Sequence, residues 1–113
     1  MIHVTIYQNK KKEYTGFKTY GHAGFSDEGQ DIVCAAASIL IINTMNAIEK
    51  FTEDNASMVS DDPDGVIDYS IKGKPSDDAE LLLKTMVLGL EEMSDDENYA
   101  EYIDLTFEEV QQP

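Results

Sequence analysis

A single cysteine, Cys34, is all the thiol chemistry this 113-residue chain contains. An intramolecular disulfide is thereby excluded, and none of the multi-cysteine zinc spacings can be written. A reducing compartment follows most simply, so the expected location is the cytoplasm, with no metal or cofactor. Positive charge is also scarce: eight Lys plus Arg stand against 23 Asp plus Glu, a net charge of −15 at pH 7. Such a surface repels phosphate backbones and anionic lipid, which leaves DNA, RNA and membranes as poor direct partners and a basic protein or peptide as a better one. Acidity that only keeps a protein soluble produces the same count. The basic run Lys10, Lys11, Lys12 follows a short alternating segment, the reverse of a signal peptide's order, and no apolar run is expected to cross a bilayer.

The length fits one compact domain over residues 1–113, able to bury roughly two-thirds of its unfolded surface. Ile2, Val4 and Ile6 alternate with His3, Thr5 and Tyr7, the period-2 pattern of a half-buried strand. The polar QNKKKE reads as a turn and Tyr14 to Tyr20 as a second strand. From Asp31 to Phe51 the chain is apolar around most of its circumference, with four Ala and no Pro or Gly, which predicts a helix buried against a sheet. A second strand pair, Ala56 to Ser60 and Val66 to Lys72, is joined by DDPDG, whose Asp, Pro and Gly are turn formers. PSDDAELLLKTMVLGLEEM supplies a Ser76 cap, acids in a first turn, and Leu82, Met86, Leu90 and Met93 on one face. EEMSDDE reads as a loop, and YAEYIDLTFEEV as a fifth strand through Tyr102, Ile103, Leu105 and Phe107. The order ββαββαβ predicts an α+β two-layer sandwich, two helices on one face of a mainly antiparallel five-stranded sheet.

The chemistry concentrates in GHAGFSDEGQDIVCAA, residues 21–36. With Asp31 as N-cap, Cys34 falls in the first helical turn, where free amides and the helix dipole favour an anion; the thiolate is the reactive form. His22 ends the second strand, twelve residues earlier, and Gly21, Gly24 and Gly29 allow the chain reversal that would bring imidazole to thiol. Together they would form the ion pair of a thiol hydrolase. Asp31 either orients His22 or only caps the helix. Ser38 lies one turn beyond Cys34, and its hydroxyl bonds either a substrate or the backbone behind it. A lone Cys before AAAS on an apolar helix is, from these facts alone, more often packing than catalysis. His3 sits mid-strand with no partner in view.

The joined motif, GHA at 21–23 followed by DIVCAAAS at 31–38, resembles the signature of the ribosomal-processing cysteine protease family, Prp, and the length and element order extend the likeness over essentially the whole chain. The resemblance implies a cytoplasmic bacterial cysteine endopeptidase, often a homodimer, that removes a short N-terminal extension from a large-subunit ribosomal protein. It assigns Cys34 as nucleophile and His22 as general base and proton donor, while Asp31 and Ser38 match motif positions. Relatives cut after an aromatic residue, which implies an apolar cleft; Gly21 and the segment Gly24 to Gln30, with Phe25, are the candidates for lining or closing it. Ala36 stands where many members have Gly, narrowing the space behind the thiol, and the last third of the chain is more acidic than the signature requires. Two other readings use the same residues: an acidic binding module for a basic ribosomal protein, in which Cys34 is silent, and a redox-sensing thiol, weakened by the lack of a resolving cysteine.

Overall fold

The computed structural model describes the backbone of residues 1–21, 28–61 and 65–112, with side chains at all of these except 28–31. Along the chain run β1 (Ile2–Gln8), β2 (Tyr14–Tyr20), α1 (Glu28–Phe51), β3 (Ala56–Asp61), β4 (Val66–Ile71), α2 (Asp77–Asp95), a 3₁₀ turn (Ala100–Tyr102) and β5 (Ile103–Glu109). The strands form one sheet in the order β3-β4-β2-β1-β5. Pairs β1–β2, β2–β4 and β3–β4 are antiparallel and β1–β5 is parallel, so the expected α+β sandwich carries a mixed sheet. The parallel pair follows from connectivity: a strand, a helix and a strand that returns to the same sheet must run the same way. Thus α2 carries the chain from β4 to a parallel β5, and α1 carries it from β2 to a parallel β3.

Alternation sets the layers. Ile2, Val4 and Ile6 are buried beneath the helices, while His3, Thr5 and Tyr7 between them face the open side. Phe17 of β2 stacks on Tyr69 of β4 at 5.3 Å between ring centres. Val33, Ala37, Ile41 and Ile48 of α1 close over them, joined by Ala79, Leu83, Met86, Val87 and Leu90 of α2. Each full burial of such a side chain contributes about 1.5–3 kcal/mol.

α2 begins as its residues dictate. Ser76, with extended backbone, accepts from the Ala79 amide at 3.0 Å, and Asp77, Asp78 and Glu80 place negative charge in the first turn. Its buried face differs from the expected one: Met86 and Leu90 are buried, but Leu83 and Val87 accompany them, and Leu82 and Met93 only pack at the margin. EEMSDDE is not wholly a loop, because the helix runs on to Asp95. Gly89, in its interior, has a packing reason, since a Cβ there would stand 2.9 Å from the Leu40 side chain of α1. The fifth strand begins only at Ile103, after the 3₁₀ turn.

α1 departs from expectation at its start and in its exposure. It opens at Glu28, not after Asp31, so Asp31 lies inside the helix and is not its N-cap. The helix tolerates Gly29 at a cost of about 1 kcal/mol relative to Ala. Its outward positions Ile32, Ile39, Ile42 and Phe51 remain exposed. Apolar on both sides, Ile32–Phe51 has the length and composition to cross a membrane, contrary to expectation, although here its inner face packs on the sheet.

Candidate active site

The two crossovers bring the C-terminal ends of β2 and β3 and the start of β4 to the N-terminal half of α1. There a cleft of about 200 Å³ opens, with Cys34, Ser38 and Ile42 on one side, Asp61 and Val66 on the other, and Thr19 and Ile67 beneath. Cys34 is a free thiol, partly buried and packed against the core, so it is both a packing residue and a residue that reaches a cavity. Ser38, one turn on, lines the same cleft. Ala36 does not line it; Ala37 does, so the expected narrowing behind the thiol has no counterpart in this wall.

The earlier helix start changes the chemistry available at Cys34. It is the seventh residue of α1, beyond the first turn, and an amide at that depth bonds the carbonyl four residues back. The backbone N–H of Cys34 is therefore committed to the helix and is not a free donor. Of the other candidates, His22 and Phe25 lie outside the described residues, and so does the expected loop from Gly24 onward, except that Glu28 to Gln30 belong to α1. The Asp31 side chain is likewise outside the description. The structure thus brings together Cys34, Ser38 and Gly21 among the expected site residues.

Gly21 has a backbone reason to be glycine. Its φ of +86° lies in the left-handed region, and a Cβ would stand 2.3 Å from the Met1 carbonyl oxygen. Strand β2 is pinned just before it, on the open face of the sheet: His3 stacks on Tyr20 at 4.6 Å and pairs through Nδ1 with Asp104 Oδ2 at 2.8 Å. The histidine expected to lack a partner has two. Sequence reasoning missed Asp61, Val66 and Ile67 as cleft residues, because only the sheet order reveals that the end of β3, the start of β4 and Cys34 share one end of the molecule.

The resolved shifts in acidity lie away from this cleft. Burial, then a hydrogen bond to Asp68 and the charges of Asp68 and Glu108, push the Tyr7 hydroxyl up to about 12. Tyr69 is raised by burial and by the carboxylates of Asp54 and Glu49. For Asp54, burial alone would raise the carboxyl, but hydrogen bonds from the Ser76 hydroxyl and amide, with lesser help around Thr52, hold it below the ordinary value. Among the described residues no group of three or more His, Cys, Asp and Glu is placed to hold a metal ion.

Comparison with known proteins locates this arrangement. The family model described as cysteine protease Prp matches residues 1–104. The ribosomal processing cysteine protease Prp of Staphylococcus aureus is 34% identical over 107 residues, covering 95% of this chain and 99% of its own length. The Bacillus subtilis protein of the same description is 28% identical over 105 residues, covering 85% and 89%. A crystal structure of the S. aureus protease with a covalently linked product peptide superimposes with a TM-score of 0.84 at 33% identity, over 96% of this chain and all of that one. A second, with a substrate peptide, gives a TM-score of 0.87 at 31% identity with the same coverage.

Proposed function

Because the chain belongs to the Prp cysteine protease family, we propose that it is the endopeptidase that removes the N-terminal extension of a large-subunit ribosomal protein, using Cys34 and His22 as a dyad. The observation that carries the reading is the position of the chain's one thiol: Cys34 opens into a mainly apolar cleft in a fold whose relative holds a covalently linked product peptide. Enzymes of this class acylate a thiol. In the mechanism that follows, the Cys34 thiolate attacks the scissile carbonyl and the carbon–nitrogen bond breaks as the His22 imidazolium gives its proton to the departing amine. Water, deprotonated by the now neutral His22, then attacks the thioester, releasing the carboxylate product and the thiolate.

Oxyanion stabilisation is assigned differently from a first-turn thiol. With the Cys34 amide held in the helix ladder, the Ser38 hydroxyl, one helical turn from the thiol in the same cleft, serves the developing negative charge. The apolar walls Ile2, Ile41, Ile42 and Ile67 suit an aromatic side chain beside the cut. The charge of −15 attracts a basic substrate over long range, an attraction that weakens as salt rises. We place the enzyme in the cytoplasm as a homodimer, for which the exposed apolar positions Ile32 and Ile39 of α1, outside the cleft lining, provide the self-complementary surface.

The test is incubation with the host's extended ribosomal protein and intact-mass measurement of the product. Wild type is expected to shorten it at one bond, and Cys34→Ala and His22→Ala to lose cutting by a factor on the order of 10⁴ or more while keeping the wild-type circular dichroism. A Cys34→Ala protein that still binds the substrate, paired with a wild type that never cuts it, would instead describe an acidic binding module.

A further inference from the structure

We infer that the substrate is gripped well beyond the cut, in a groove that continues from the Cys34 cleft along α1 and ends at an acidic rim formed by Glu49 and Glu53; this rests on the protease reading above. A second cavity, of about 700 Å³, lies beyond the first between α1 and the β3–β4 hairpin. The two have no lining residue in common, but the same elements, α1, β3 and β4, wall both. On α1 the lining passes from Cys34, Ser38 and Ile42 to Met45, Glu49 and Thr52, steps of three and four residues that keep one face of a helix. On β4 it passes from Ile67 to Tyr69, two residues apart on the same side of the strand. Met45, Ile48, Met58 and Tyr69 give the second cavity an apolar side, which passes into the polar and acidic residues Asn46, Glu49, Thr52 and Glu53, and Met58 of β3 stands exposed.

Three features fit this groove to an extended, basic peptide. Among the described residues β3 is the edge of the sheet, with β4 as its strand partner on one side, and its outer backbone groups suit an added chain. Glu49 and Glu53 are exposed and, among the described residues, neither is in an ion pair, whereas Asp54 nearby is already engaged by Ser76. Glu49 also acts on the groove wall: after burial and Asp54, its charge helps to raise the Tyr69 hydroxyl. Glu49 lies about 22 Å beyond Cys34 by helical rise, a distance an extended chain covers in about seven residues. The occupant is thus a peptide with an apolar stretch next to the scissile bond and a Lys or Arg about seven residues from it.

Binding and cutting are measured on the same probes. A fluorescent peptide of about twenty residues spanning the cut, with Lys or Glu seven residues away on either side, is titrated into Cys34→Ala protein and followed by anisotropy. The Lys peptide is expected to bind about fivefold tighter than the Glu peptide, with the preference fading as salt rises. The double variant Glu49→Lys, Glu53→Lys, whose new cations suit the end of a helix, should invert that preference. It should leave a peptide of about six residues, too short to reach the rim, unchanged. Equal affinities, or a preference that survives the charge reversal, would overturn the groove. So would a charge reversal that alters the sedimentation mass but not peptide affinity, because the groove would then hold a second copy of the chain. Product mass with wild-type protein scores the protease reading separately: a wild type that binds with the stated preference but cuts no probe sinks that reading and leaves the groove standing.

Discussion

α1 and α2 cross the same face of one sheet, each following a strand pair, yet they divide the work of the molecule. α2 has a side-chain cap, acids in its first turn and a closed buried stripe from Ala79 to Leu90. Its interior faces β2 and β5. α1 is anchored by Val33, Ala37, Ile41 and Ile48, but the face beside them lines both stretches of the groove, from Cys34 to Thr52, while α2 lines neither. The difference has a geometric cause. β3 lies at the sheet edge and every one of its residues is exposed, so α1 leans over a sheet that extends past it and walls a cavity there. Duplicated topology therefore does not mean duplicated role: the same ββα unit makes a buttress where its helix is fully seated and a site where it overhangs.

The comparison breaks most readily at the buttress. Leu90→Ala removes a side chain with no exposure and should cost about 2–5 kcal/mol by denaturant unfolding, while the folded fraction cuts at the wild-type rate. A folded-fraction rate that fell in step with stability would deny the division between the helices. A smaller effect is expected at the α2 cap. Ser76→Ala should cost about 1–2 kcal/mol, since it removes both the donor to Asp54 and the acceptor for Ala79. Its pH dependence has a definite sign. The Asp54 carboxyl is held lower in the folded state than in the unfolded chain, so its contribution is present above the ordinary carboxylate value and is lost as pH falls through the folded one. The gap between variant and wild type should accordingly shrink in acid, and a gap that widened there would refute the hydrogen-bond origin. The smallest effect on stability is expected on the outer face of α1. Ile39→Ser should change unfolding free energy by no more than about 0.5 kcal/mol, because Ile39 is 69% exposed. It should nonetheless lower the dimeric fraction in sedimentation, and an unchanged mass distribution would remove this face from the interface.

Much of this was legible before any coordinates. Alternation at Ile2, Val4 and Ile6 and the Ser76 cap with its acids are local signals, and the elements they announce are present. What local signals could not convey were contacts between distant residues. The parallel β5, the partnership of His3 with Asp104 101 positions away, and the wall that Asp61 and Val66 give the cleft all depend on sheet order. The start of α1 failed for a different reason: Asp31 looks like a cap and Gly29 like a breaker, yet the helix continues through both. His22 and Cys34 stood out through the spacing of a family motif, because a lone thiol in an apolar helix is more often packing than catalysis.

The most direct measurement of Cys34 as nucleophile is an acid-quenched reaction of wild-type protein with the extended ribosomal protein, followed by peptide mapping. A thioester should appear within the first turnover, adding the mass of the N-terminal extension to the fragment that contains Cys34. Cleavage that proceeds at the same rate in Cys34→Ala, with no adduct on that fragment in wild type, would contradict it.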